Sequence, residues 1–248
     1  MYEKLKKAFI ELSEEAGILD SEINITARRL TPKEAIGETE RQDFPLLHGK
    51  ESLIQADFRG ALGQAFTDMP RDFNGKIREI LDFNFDNNGE RALFIATLNA
   101  VMRFLGKTER TIHCKNESPE LCSQEIVKNI IEKHGEKICV GIVGFQPAII
   151  DHFSKTISPE NIRITDLDKE NIGKEKYGVV VWDGHTMAEE IFKVCDVILA
   201  TGSTIANNSL GELTDLSEKY GKPIYFYGTT VAGPASILNL NRLCFKAS

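Results

Sequence analysis

Long hydrophobic runs are missing from this 248-residue sequence: nowhere do the about 18 consecutive apolar residues of a membrane-spanning helix occur. Residues 1–12 form instead a charged amphipathic stretch with Leu5, Phe9 and Leu12 on one face, unlike a secretory leader. The expectation is a cytoplasmic protein with no membrane partner. Basic residues are in deficit, 30 Lys and Arg against 37 Asp and Glu, for a formal net charge of −7. Without a basic patch to offset it, that charge repels a phosphodiester backbone, so no nucleic-acid partner is expected. Internal repeats and low-complexity segments are absent. Familiar catalytic strings are absent too. His48-Gly49-Lys50-Glu51 lacks the earlier glycine and the following Ser or Thr of a phosphate-binding loop, and neither an HExxH zinc motif nor a GxSxG elbow occurs.

What is present is 42% hydrophobic and 27% charged, a globular composition in a chain long enough to bury its own core. A helix is expected over 3–16, closed by Gly17. Alternation over 22–30 (Ile23, Ile25, Ala27) and an apolar stretch over 52–66 then predict a small antiparallel sheet. Helices are expected over 73–83 and 88–105. The second is apolar nearly all round and should be the buried centre of the N-terminal half. Asn99 within it is either an amide satisfied by backbone or a ligand contact.

A polar connector leads to a helix over 119–134, with Ser118 as N-cap and Pro119 in the first turn. From residue 137 the pattern changes. Short apolar runs at 138–143, 162–165, 179–182, 197–200, 224–227 and 242–245 alternate with helices at 147–155, 187–193 and 210–220. Runs too apolar for a one-sided sheet predict an α/β fold, a Rossmann-like parallel sheet with helices on both faces. The expected division is a smaller α+β domain over 1–112, a connector and linking helix over 113–136, and a ligand-binding domain over 137–248.

In such a sheet ligands collect beyond the carboxyl ends of the strands, so the loops there are the candidate site. After the first strand come Gly144, Phe145, Gln146 and Pro147, where a glycine turn opens a helix in the spacing GxxGxxP, not the GxGxxG of a dinucleotide fingerprint. The second strand ends in Asp166 and Asp168, near the place where an acidic side chain would meet ribose hydroxyls. After the third, Thr186 and Glu189 have capping-box spacing, leaving Asp183 and His185 free to face the crevice. After the fourth, Thr201, Gly202, Ser203, Thr204 and Asn207 form a polar loop, and Ser209 with Glu212 has capping-box spacing for the next helix. Several polar loops on one sheet edge predict a small-molecule pocket.

Five cysteines, an odd number scattered along the chain, argue against a disulfide framework. Cys139, Cys195 and Cys244 are read as packing residues in or beside strands. His113, Cys114 and Cys122 are candidate soft metal ligands, Cys122 lying in the first turn of a helix whose dipole favours thiolate. A fourth ligand, such as His185 or Asp183, would have to come from elsewhere.

Several strings combine into a resemblance. In the N-terminal half they are Asp43-Phe44-Pro45-Leu46, Gly63-Gln64-Ala65-Phe66-Thr67-Asp68 and the run from Glu90 to Ala100. In the C-terminal half they are Val143-Gly144-Phe145-Gln146-Pro147, Asp166-Leu167-Asp168, and Thr201-Gly202-Ser203-Thr204 with Asn207. Together they resemble, over nearly the whole length, the family named for heavy-metal chelation, in which an enolase N-terminal-like domain precedes a Rossmann-like domain. The resemblance implies a ligand site between the domains at Gly144, Pro147, Asp166, Gly202, Thr204 and Asn207, with Asn99 contributed from the other side. Only the accessory domain of enolase is resembled, so no enolase activity is implied.

The functional expectation is a protein that handles a divalent or heavy-metal ion or a metallocofactor, binding a polar small molecule or metal chelate between its domains. Its rivals are a nucleotide-cofactor enzyme of the NAD or S-adenosyl type and a thiol redox sensor using Cys114 and Cys122. No catalytic base is legible, and a homodimer is the default state of association.

Overall fold

The computed structural model describes residues 1–19, 25–49 and 51–248. The helix α1 (Tyr2–Glu15) buries Leu5 and Phe9. The strand β1 (Ile25–Arg29) follows, and the part of the expected 22–30 strand that includes Ile23 lies outside the described residues. A short helix not expected from the sequence, α2 (Pro32–Ile36), is nucleated by a capping box. Thr31 Oγ1 accepts from the Glu34 amide, and Glu34 accepts from the Thr31 amide at 2.9 Å.

The expected antiparallel sheet is present. Strands β2 (Ser52–Phe58), β3 (Ala61–Thr67) and β4 (Phe73–Gly75) join β1 in the order β3-β2-β1-β4. The helix expected over 73–83 is thereby corrected. Phe73 to Gly75 pairs with Ala27 to Ile25, and helix begins only at α3 (Ile77–Leu81), because pairing with an open strand edge outweighs a helical period interrupted by glycine. Across the sheet lies α4 (Asn88–Phe104), with every residue from Gly89 to Met102 buried except Glu90.

The second layer follows the alternating pattern closely. Helix α5 (Ser118–His134) precedes β5 (Val140–Val143), α6 (Pro147–Thr156) and β6 (Ile162–Asp166). A small hairpin strand, β7 (Glu175–Lys176), leads into β8 (Val179–Asp183), α7 (Gly184–Val194) and β9 (Val197–Thr201). Next come α8 (Leu210–Tyr220), β10 (Ile224–Tyr227), α9 (Ala232–Leu238) and β11 (Arg242–Leu243). The sheet order is β11-β10-β9-β5-β6-β8-β7, parallel throughout except for the β7 edge. Counting only the parallel strands in chain order, this is the 3-2-1-4-5-6 arrangement of a doubly wound sheet, whose direction of winding reverses between β5 and β9.

Both faces of that sheet are covered, as expected. On one side Ile126, Ile130, Ile149 and Phe153 of α5 and α6 pack against Val197 and Leu199. On the other, Ile198 and Ala200 join a cluster that continues through Ile191, Phe192 and Leu213 into Phe94, Phe58 and Phe9 of the antiparallel layer. The two layers therefore share one apolar core. Arg41 adds a polar cross-tie at the rim: its guanidinium pairs with Glu120, reaches Asp151 at 2.7 Å and donates to Tyr177 at 2.8 Å. No helix among the described residues is long and apolar enough to cross a membrane.

Candidate functional site

Beyond the carboxyl ends of β5, β6 and β9 the antiparallel layer closes over the sheet edge, leaving a cavity of about 580 Å³. The parallel sheet contributes Gly144, Phe145, Gln146 and Pro147 after β5, and Asp166 and Asp168 after β6. It also contributes Thr201, Gly202, Ser203, Thr204 and Asn207 after β9. The other layer contributes Glu51, Thr67, Asp68 and His113, with Phe44, Pro45 and Leu46 as an apolar wall. The polar loops read from the sequence are thus gathered into one concavity.

The loop after β5 turns at Gly144, whose φ of +91° and closeness to Thr201 Cγ2, 2.6 Å from where a Cβ would stand, leave room only for glycine. Beyond the turn, the Phe145, Asp168 and Ile149 amides already have side-chain acceptors. Asp166 Oδ2 accepts from the Phe145 amide at 2.8 Å, and its Oδ1 accepts from the Asp168 amide at 2.8 Å. At the start of α6, Gln146 Oε1 accepts from the Ile149 amide at 3.2 Å. Asp166 thereby ties the loop after β5 to the loop after β6. The loop after β9 is likewise self-bonded, Thr204 Oγ1 donating to Thr201 O at 2.7 Å and Thr201 Oγ1 lying 2.8 Å from Ser203 Oγ.

Two expected roles change. Asp183 does not line the cavity; its Oδ1 accepts from the His185 amide at 2.9 Å and caps α7 one turn earlier than the Thr186 and Glu189 spacing suggested. Ser209 makes no side-chain cap for α8, its hydroxyl donating instead to Asn207 Oδ1 at 2.7 Å. Asn99 lies behind the cavity wall, fully buried. Its Nδ2 donates to Gln64 O at 2.9 Å, Thr229 O at 3.2 Å and Thr230 O at 3.1 Å, while its Oδ1 accepts from the Gly233 amide at 2.7 Å. It is the backbone-satisfied amide of the two alternatives, joining the layers at one point.

Glu51 is the residue that sequence reading missed, because the string around it, His48-Gly49-Lys50-Glu51, carries no signal beyond an incomplete phosphate loop. Half-buried by exposed area yet walled off inside the cavity, its carboxyl is pushed up to about 7 by desolvation and by the Asp166, Asp68 and Asp168 carboxylates. His113 is held neutral: desolvation lowers its pKa, and Nδ1 stands 3.3 Å from Ala35 O. A carbonyl can only accept, so Nδ1 carries the proton and Nε2 keeps its lone pair.

Cys114 and Cys122 point elsewhere, into the apolar cluster between α5, α6 and the sheet. There Cys122 has Cys114 and Cys244 as thiol neighbours, and hydrogen bonds from both push it toward thiolate while Cys114 and Cys244 are pushed up. Cys244, read as packing alone, is thus also a thiol partner. Whether these donors fit a metal is a matter of arrangement. Among the described residues no group of three or more His, Cys, Asp or Glu side chains is placed to hold a metal ion. His113, Cys114 and Cys122 do not form a coordination set.

Fold and cavity together define a doubly wound α/β protein with a ligand-sized hollow at the point where its winding reverses. Comparison then narrows the class: residues 128–235 match the model of the family DUF364, described as putative heavy-metal chelation, which bears out over that stretch the resemblance read from the sequence. A solved structure of a protein of unknown function from that family, from Pyrococcus horikoshii, superposes with a TM-score of 0.50 at 19% identity, covering 92% of this chain and 78% of that one. Another, from Desulfitobacterium hafniense, gives 0.48 at 15% identity, covering 75% of this chain and 72% of its own. No curated protein matches.

Proposed function

We propose that the cavity binds a polar small molecule bearing positive charge, either an organic cation or a metal ion already held in its own chelator. The observation that carries this reading is the lining itself. Glu51, Asp68 and Asp166 face the space from three segments, and no Lys or Arg is among the described residues that line it. Two amides at the turn and helix start, those of Phe145 and Ile149, are taken by the Asp166 and Gln146 side chains. A cation entering here meets carboxylates in a partly dehydrated space, where their attraction is stronger than in water. The neutral His113 adds a nitrogen lone pair for a hydrogen-bond donor or for an open position on a chelated metal. The family's description, heavy-metal chelation, agrees with a chelate as cargo.

A nucleotide cofactor is the second reading, supported by the 3-2-1-4-5-6 strand order and by an aspartate ending the second parallel strand. Thermal-shift and calorimetric titration of the full chain separates the two. Hexaamminecobalt(III) and 1,4-diaminobutane serve as cationic probes, and NAD and pyrophosphate as anionic ones. A probe at about 100 times its dissociation constant adds about 2.7 kcal/mol of stability. Stabilisation by the cations and none by the anions is expected; the opposite order would overturn the reading in favour of the nucleotide.

Glu51 gives that titration a pH signature. A carboxyl whose folded pKa is raised stays protonated as the unfolded chain ionises, so the fold loses stability as pH rises from the ordinary carboxylate range toward about 7. A bound cation favours the ionised form and expels the proton. Affinity for the cationic probe is therefore expected to rise roughly tenfold between pH 6 and pH 8, with proton release visible as a buffer-dependent heat. In Glu51→Gln the rise should vanish. An equally steep rise in that variant would assign the proton to another group.

A further inference from the structure

Away from the cavity, at the opposite end of the parallel sheet, two cysteines meet. Cys139 immediately precedes β5 and Cys195 closes α7 just before β9, and β5 and β9 are neighbours in the sheet. Their sulfurs stand 3.1 Å apart. The backbone around them is held on both sides: the Asp196 amide donates to Cys139 O at 2.8 Å, and the Cys139 amide donates to Asp196 Oδ2 at 2.9 Å. We propose that Cys139 and Cys195 are a reversible redox pair that closes to a disulfide across the base of β5 and β9.

The geometry favours closure over mere packing. A disulfide requires sulfurs about 2.05 Å apart, so the two sulfurs need approach by only roughly 1 Å. The two thiols also differ in a way that divides the labour. Cys139 is half-buried and reachable by a small oxidant, whereas Cys195 has 0% exposure. The hydrogen bond from Cys195 is the largest influence on Cys139 and pushes its pKa down to about 7; burial opposes it, the charge of Arg163 on β6 favours the thiolate, Asp196 opposes it and Lys222 favours it. Cys195 is pushed up by the same contact and by burial.

The oxidant is a low-molecular-weight disulfide. Cys139 thiolate attacks one of its sulfurs, breaking that bond, forming a mixed disulfide and expelling the first small thiolate, which takes a proton from water. Cys195 then attacks Cys139 Sγ, its proton passing to the departing small thiolate, so that the protein disulfide forms and the second small thiol leaves. Two protein thiols are oxidised by two electrons, and one small disulfide is reduced to two thiols. This pair is separate from the Cys114, Cys122 and Cys244 group, which lies in the cluster beneath α5. It does not depend on what the cavity binds.

The test treats the full chain with oxidised glutathione, blocks remaining thiols with iodoacetamide in denaturant and maps the peptides by mass. Expected is a peptide linking Cys139 to Cys195, a loss of two of the five alkylatable thiols, and full recovery after dithiothreitol. In Cys195→Ala the second step is removed, so a stable glutathione adduct should accumulate on Cys139. Peptide mapping of the unaltered protein decides the matter even where that variant folds poorly. Retention of all five thiols, or a link between Cys114 and Cys122 in place of this one, would overturn the proposal.

Discussion

Asn99→Asp, a change of one NH2 group to oxygen, is expected to destabilise the protein by roughly 3–5 kcal/mol, the range for an uncompensated charge left in an interior. The amide nitrogen serves three carbonyls, those of Gln64, Thr229 and Thr230, and a carboxylate would point oxygen at all of them. The Gly233 amide would keep its acceptor. That single donor cannot offset three repulsive contacts in a site with no exposure. Equilibrium denaturation in urea measures the loss. A change below about 1 kcal/mol would mean that the aspartate enters protonated or that the layers part enough to admit water.

Gly63→Ala is the second large effect, and its cause lies one turn away. A Cβ at Gly63 would stand 2.2 Å from Ala100 N and 2.3 Å from Ala96 O, both backbone atoms of α4 that no rotamer change can move. Either β3 or the helix must retreat, at a cost of about 1–3 kcal/mol for ordinary overpacking and more where both neighbours are main chain. The same retreat would lengthen the Asn99 bond to Gln64 O, because Gln64 follows Gly63 directly. The two substitutions should therefore combine non-additively, the second costing less once the first has opened the seam. Full additivity in a double-mutant cycle would show that the glycine and the amide act independently.

The parallel sheet was legible because strands buried on both faces have a plain signature, and 224–227 falls on β10 without adjustment. The site's loops followed from the rule that ligands gather beyond strand ends, which needs only strand positions and direction. What escaped detection depends on competition between neighbours. Asp183 and Thr186 both offer a cap for α7, and only the folded backbone shows that Asp183 takes it. Phe73 has the spacing of a helix yet is claimed by β1, a partner some 50 residues earlier whose availability no local window reports. Glu51 became conspicuous only when Asp68 and Asp166, from other segments, were brought beside it.

The core common to both layers has a consequence for how the molecule holds together. Phe9, Phe58 and Phe94 on one side and Ile198 and Phe226 on the other belong to one continuous apolar cluster. Ile112 and Ser248 exchange backbone hydrogen bonds, tying the segment after β11 back to the stretch just before the connector. Scission between the layers would leave each fragment with a raw greasy face and part of a ligand socket. Two recognisable architectures here share one apolar cluster, so loosening the seam anywhere should be felt at the hollow it encloses.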